Sequence, residues 1–389
     1  MPKLRVSCNL TSSGLYFACE GTDLEICIIG LPKSGKTTIF NVLTKGKADT
    51  TTFATTSLTP NIGISKVPEP RLQALEKIFH PKKVIPAEVK YVDIVGIAKE
   101  FGKGEGIGGQ FLNYLSNADA LIHVVRSFPD DNVPHIQGDI SPKRDIATMN
   151  LELVFSDLAI IERRLKRLED SLKGAKQAER DPLLKEQSLL QRIKSELEKE
   201  VPIWHQSLTD EEMKSLTNYQ FLTAKPMLIV INIGENQLGQ DKTMEAEIRS
   251  AYSHSLFEVV AICGKLEMEL TQLSDSDSIE FRKALGLVEP AVDRIIGLSY
   301  QLLGLISFFT TVSEELKAWT ITRGTSAVKA AGKIHTDMEK GFIRAEVVNF
   351  NDLNKCGSLA EARKHGVLRL EGKNYTVQDG DIITFLFNV

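Results

Sequence analysis

The chain has 389 residues, of which 42% are hydrophobic and 25% charged. That balance excludes a disordered or collagenous protein and suits a chain that buries a large core, in two to three domains at roughly 150 residues each. A formal charge of -4 excludes the broad cationic field of a sequence-independent DNA coat.

Residues 1–23 contain one Lys and one Arg but no continuous apolar run, so they read as an extension rather than a secretory signal. From Leu24 the text changes to LEICIIG and then GLPKSGKTTIFNVLT, the pattern of a buried strand, a glycine-rich loop and an amphipathic helix. Further apolar strands are expected at Val89 to Val92, Ala120 to Val125 and Met227 to Ile231, separated by helical patterns. That alternation implies a mostly parallel sheet covered on both faces. Leu151, Val154, Leu158, Ile161, Leu165, Leu168 and Leu172 recur at three- and four-residue steps, the apolar seam of a coiled coil. A break over Gly174 to Pro182 precedes Leu183, Leu190, Ile193 and Leu197, which predicts an antiparallel helical hairpin. Its charges balance, 11 basic against 11 acidic over residues 151–200, as on solvated outer faces. After about Ser307 the periodicity becomes strand-like in KAWTITRG, FIRAEVVNF, VLRLEGKNYTV and ITFLFNV, with one helical piece near Leu359 to Lys364. The longest apolar stretch, Leu302 to Phe309, is far shorter than the about 18 residues a membrane span needs. Cys8, Cys19, Cys27, Cys263 and Cys356 show no CxxC or Cys/His spacing, which fits reduced thiols in a cytoplasmic protein. Neither a membrane nor a specific DNA site is expected as a partner.

The chemistry is concentrated in three places. Gly30-Leu-Pro32-Lys33-Ser34-Gly35-Lys36-Thr37 fits GxxxxGK[ST] and stands between a predicted strand and a predicted helix, the context that the pattern requires. Glycines turn amides toward phosphates, Lys36 reaches the β and γ oxygens, Thr37 offers a hydroxyl to Mg²⁺, and Thr38 lies in the helix's first turn. Asp93-Ile-Val-Gly96 closes the next strand, where the Asp holds Mg²⁺ through water and the Gly96 amide meets the γ-phosphate. Gly102-Lys-Gly-Glu-Gly106-Ile-Gly108-Gly109 then reads as a switch segment too glycine-dense for a stable helix. The base-recognition position falls on Asn232-Ile233-Gly234-Glu235, for which a loop Asn and Glu in a surface turn is the competing reading. A guanine clamp needs Lys and Asp where this chain has Ile233 and Glu235.

The P-loop, DIVG with KGEGIGGQF, ADALIHVVRSF, NIGE, AAGKIHTDMEKGFIRAEVV and DGDIITFLFNV together resemble the YchF family of Obg-like ATPases over essentially everything after residue 24. The resemblance implies an α/β P-loop NTPase G domain, discontinuous over residues 24–140 and 220–305. It also implies a coiled-coil insertion over 141–219 and a C-terminal β-grasp (TGS) domain over 306–389. Slow hydrolysis with Mg²⁺, ATP preferred to GTP, and association with the ribosome follow from it as expectations. Three features depart from the family: Lys33 and Ser34 in a P-loop that usually reads NVGKS, a switch I about two residues longer, and residues 1–23. The longer switch I leaves Thr55 and Ser57 as alternative Mg²⁺ ligands.

Ile97 stands where Ras-like enzymes place a water-orienting Gln, so unassisted turnover should be on the order of 10⁻⁴ to 10⁻² per second. His123, in ALIHVV, is the polar residue that the family offers instead; the competing reading is a core histidine with a satisfied ring. Lys33 is either a cis-acting charge at the phosphates or a surface lysine. An Obg-type GTPase tolerating Glu235, or a ribosome or RNA adaptor whose nucleotide site is mainly structural, are the alternative functions.

Overall fold

The computed structural model describes residues 7–11, 14–18, 24–46, 60–94, 109–130, 132–252, 256–287, 289–312 and 314–388. The strands in chain order are β1 (Ser7–Thr11), β2 (Gly14–Ala18), β3 (Leu24–Ile29), β4 (Asn61–Lys66), β5 (Lys83–Ile85), β6 (Glu88–Asp93), β7 (Ala120–Arg126), β8 (Met227–Asn232), β9 (Phe257–Ile262), β10 (Leu305–Val312), β11 (Glu315–Thr322), β12 (Phe342–Asn349), β13 (Arg369–Glu371) and β14 (Asp381–Phe387). The helices begin with α1 (Lys36–Thr44), α2 (Pro70–Phe79), α3 (Gly109–Asn117), α4 (Pro142–Gly174), α5 (Gln177–Leu197), α6 (Asp210–Leu216) and α7 (Asp241–Ala251). They continue with α8 (Gly264–Leu270), α9 (Asp275–Ala284), α10 (Ala291–Leu302), α11 (Ala327–Ile334), α12 (Thr336–Lys340), α13 (Phe350–Cys356) and α14 (Leu359–Lys364).

Two compact units divide the chain. One comprises Glu25–Ile64 and Lys90–Ile295; the other comprises Met1–Leu24, Ser65–Val89 and Ile296–Val389.

The first unit is built on the sheet ordered β4-β6-β3-β7-β8-β9. β7 pairs in parallel with both β3 and β8, and β8 with β9. Every residue of β7 and β8 is buried, as expected of central strands covered on both faces, and this is why they read as unbroken apolar runs. Two strands were not legible in the sequence. β4, NIGISK, is an edge strand whose Ile62 and Ile64 are 56% and 58% exposed, so it lacks the apolar run of a buried strand. β9, FEVVAI, is largely buried, but Glu258 interrupts its apolar run.

The helical hairpin is formed by α4 and α5, with Val154, Ile161, Leu168, Leu190, Ile193 and Leu197 in its apolar core. The ion pairs Glu162–Lys194 and Arg164–Glu186 cross between the helices in antiparallel order. The break is shorter than the sequence indicates: only Ala175 and Lys176 separate the helices, and Pro182 lies inside α5. There it removes one backbone donor near the helix start without ending the helix.

The second unit carries the sheet ordered β13-β12-β14-β10-β11-β5. Its core joins Phe308, Ile321, Ala330, Ala345, Val347 and Ile383. The stretch Leu302 to Phe309 is the end of α10 and the start of β10, and α11, α12 and α13 add helices where the sequence signalled only α14. Residues 65–89, inside the span 24–140 that the resemblance implies for the G domain, fall in this second unit. β5 pairs in parallel with β11. Arg71, the second residue of α2, binds Asp379 at 2.8 Å and lies 5.3 Å from the centroid of the Phe309 ring. Sequence spacing carries no sign of these long-range contacts.

Candidate functional site

The P-loop starts where β3 ends. Gly30 has φ +150, and a Cβ there would meet the Val124 carbonyl oxygen at 2.4 Å; Gly35 has φ +94, and its Cβ would meet Asn232 Nδ2 at 2.2 Å. Both positions therefore demand glycine, one for close approach to β7 and the other for a left-handed residue before α1. Lys33 is also left-handed, with φ 64, and its side chain is exposed. Pro32 and Thr38 are half-buried, in the turn and in the first turn of α1. Ser34 is buried, and its Oγ has no partner among the described residues.

Lys36 donates from Nζ to the carbonyl oxygens of Gly30 and Leu31, each at 2.9 Å, so its ammonium closes the loop on itself. Burial lowers its pKa to about 8, against the pull of nearby Asp93. It stays largely charged at neutral pH.

Asp93, at the end of β6, is fully buried and its pKa is raised by burial, with Lys36 and Thr37 opposing the shift. Its Oδ2 accepts from Thr37 Oγ1 at 2.9 Å and from Asn61 Nδ2 at 3.4 Å. Its Oδ1 is buried with no partner among the described residues. A carboxylate oxygen left open beside a threonine hydroxyl is a hard-oxygen donor pair, and it fits Mg²⁺. Asn61 was not singled out from sequence; its contact depends on β4 lying beside β6.

Asn232, at the end of β8, works on the protein rather than facing outward. Its Nδ2 donates to the Ser34 carbonyl oxygen at 3.1 Å, and its Oδ1 accepts from the Gly264 amide at 3.1 Å, tying the P-loop to the loop that opens α8. Ile233 is 2% exposed, and Glu235 pairs at 2.8 Å with Lys265. Neither Gly264 nor Lys265 carried a signal in the sequence. The neighbouring loop is organised by Arg126, whose guanidinium, buried at the end of β7, donates to the carbonyls of Phe128 and Val133 at 2.9 and 2.7 Å.

His123 is fully buried on β7 between Ile29 and Ile229, and neither ring nitrogen has a partner among the described residues. Among the described residues, therefore, nothing satisfies the ring as the core-histidine reading would require. Strand alternation puts it on the same face as Leu121 and Val125, which pack with Phe111 and Leu115 of α3. Burial, reinforced by Lys36, lowers its pKa to about 3, so the imidazole is neutral. Gly96, Ile97, Thr55 and Ser57 lie outside the described residues, as does most of the glycine-rich segment.

Two domain profiles match the chain: one described as a "50S ribosome-binding GTPase" over residues 25–162, and a C-terminal profile of YchF GTPases, described as of unknown function, over 305–388. The "Ribosome-binding ATPase YchF" of Bacillus subtilis is 41% identical over 93% of this chain and 98% of its own length. Its namesake from Escherichia coli O157:H7 is 38% identical over the same shares. The solved structure of the Schizosaccharomyces pombe YchF GTPase aligns with a TM-score of 0.82 at 29% identity, covering 95% of this chain and 99% of the yeast one. With full-length relatives at this identity and the P-loop, Asp93 and Asn232 arranged as described, the chain belongs to the YchF family.

Proposed function

We propose that this protein hydrolyses ATP slowly with Mg²⁺ and acts as a nucleotide-dependent switch on the ribosome. The observation that carries the reading is the convergence of Lys36, Thr37 and Asp93 beneath the loop from Gly30 to Gly35. The amides of that loop and the N-terminus of α1 receive the phosphates. Lys36 gives up the two loop carbonyls and donates to β and γ oxygens, while Asn232 holds the loop in shape. Mg²⁺, when bound, neutralises charge on the phosphate oxygens, and Thr37 and Asp93 are the residues that would hold it. Neutral His123 can orient a water but cannot deliver a proton near pH 7. With no glutamine after Gly96, turnover is on the order of 10⁻⁴ to 10⁻² per second.

Preference for ATP is supported at the base loop. A guanine clamp uses Lys and Asp, whereas here Ile233 supplies no ammonium stem and the longer Glu235 stands at the surface beside Lys265. A site missing that clamp's paired hydrogen bonds loses most of its discrimination for guanine. Calorimetric titration with ATP and GTP tests this, and GTP at least about tenfold tighter would favour the Obg-type reading. Lys36→Ala and Thr37→Ala should each lower hydrolysis by about 10² or more. Unchanged turnover in both would leave an adaptor with a structural nucleotide site. The relatives' names motivate the ribosomal partner. Cosedimentation with ribosomes should differ between an ATP analogue and ADP, and equal binding would remove the switch.

A further inference from the structure

The entry to β8 lies in a buried polar network that the nucleotide chemistry does not use. Asp157, on α4 near the root of the helical arm, is fully buried. Its carboxylate accepts from the amides of Leu222 and Thr223, both at 2.8 Å, and from Thr223 Oγ1 at 2.7 Å. Two residues further on, Lys225 is 7% exposed. Its ammonium donates to the carbonyl oxygens of Ser116 and Ala118, at 3.0 and 2.6 Å, and to Gln220 Oε1 at 3.3 Å. Ser116 and Ala118 stand at the C-terminal end of α3. Carbonyls there have lost their helical partners and carry the negative end of the helix dipole, so a buried ammonium is held by both effects. α3 is the helix that follows Asp93 and the glycine-rich segment, and its Phe111 and Leu115 pack in the core that His123 faces. The chain from Lys225 runs directly into β8, whose last residue, Asn232, holds the P-loop.

We propose that Lys225 is a positioning residue for hydrolysis: it pins the C-terminal end of α3, and Asp157 joins that pin to the root of the helical arm. The inference rests on the hydrolysis proposed above. The pin fixes the C-terminal end of α3, the helix whose Phe111 and Leu115 pack in the core that His123 faces. It also gives the arm a buried route to the same helix. A carboxylate and an ammonium spending their hydrogen bonds on backbone groups of other elements make this network directional in a way that apolar packing is not.

The test uses the full-length protein. Lys225→Met keeps the stem and removes the ammonium. Expected are single-turnover hydrolysis slowed about tenfold, affinity for a non-hydrolysable ATP analogue within about twofold of wild type, and faster hydrogen exchange in peptides covering 109–119. Lys225→Arg, which restores charge and donors, should recover part of the rate. Wild-type hydrolysis with an unaltered Lys225→Met rate overturns the inference, as does a rate loss matched by an equal loss of affinity. Absence of hydrolysis in the wild type removes the proposed function instead, and exchange over 109–119 then decides the pin alone. If Lys225→Met does not fold, Asp157→Asn decides: the same split between rate and affinity, at about threefold, supports the network, and an unchanged rate refutes it.

Discussion

Asp93 and Asp157 are both fully buried carboxylates in the same unit, and burial raises the pKa of each. They differ in what their oxygens do. Both oxygens of Asp157 accept hydrogen bonds from the turn before β8, whereas Asp93 leaves Oδ1 open beside Thr37. A saturated carboxylate spends its charge on the fold; an open one keeps it for a ligand, at a cost the fold must bear. Among the described residues, Ser34 Oγ, Asp93 Oδ1 and both nitrogens of His123 are buried polar atoms left open in the P-loop neighbourhood, while Asn150 Oδ1 and Asp381 Oδ1 are open elsewhere.

The comparison can be broken most directly by removing each carboxylate. Asp157→Ala strands three buried donors and should lower unfolding free energy by about 3–5 kcal/mol, measured by denaturant titration. Asp93→Ala should lower it by less than about 1 kcal/mol, because the carboxylate it removes was only half satisfied, while abolishing Mg²⁺-dependent nucleotide binding. Equal losses of stability would erase the distinction.

pH sharpens the same contrast. The folded pKa of Asp157, about 6, lies above its ordinary value of 3.8, so the folded state binds the proton more tightly than the unfolded one. Its contribution to stability is therefore largest below about pH 4 and declines as pH rises through about 6. Relative to Asp157→Asn, the wild type should lose stability between pH 4.5 and 7, and melting curves at the two pH values measure it. A difference that is flat or rises with pH would show that the hydrogen bonds from Leu222 and Thr223 outweigh the burial of the charge.

His123 extends the comparison to an uncharged group. His123→Leu removes two unpartnered nitrogens from an apolar strand, so the melting temperature should hold or rise while turnover falls about tenfold. Nucleotide affinity, read by calorimetry, should stay within about twofold. Normal turnover with a lower melting temperature would make it a packing residue.

The smallest effect concerns Lys33, which occupies the left-handed region at φ 64 with an exposed side chain. Lys33→Gly should stabilise the protein by about 1 kcal/mol through relief of that strain. Hydrolysis that also collapses in Lys33→Gly would point to a cis-acting charge instead of a surface lysine.

The most legible parts of this protein are those whose signal is local. A strand, a GxxxxGK[ST] loop and a helix follow one another within about twenty residues, so backbone conformation and phosphate chemistry are written together. The hairpin was legible because a helical seam repeats every three to four residues, and α14 because its pattern is complete within six. His123 was legible as a polar residue in an apolar strand, but its two open nitrogens were not, since only the packed neighbours decide whether a ring is satisfied.

What remained for the tertiary structure is everything that depends on contacts distant in sequence. Asn61 reaches Asp93 across 32 positions and Asn232 reaches Ser34 across 198. Arg71 reaches Asp379 across 308, which helps to place residues 65–89 in the unit that carries the C-terminal sheet. Residue types and spacing by themselves determined a P-loop nucleotide site, a helical arm and a terminal β-rich region, because propensity, periodicity and glycine geometry act over a few residues. Only the folded chain decided that Asn232 braces the P-loop, that Lys265 engages Glu235 and that Lys225 caps α3. Those pairings exist because sheet order and burial bring donors to acceptors, and neither quantity is written in local sequence.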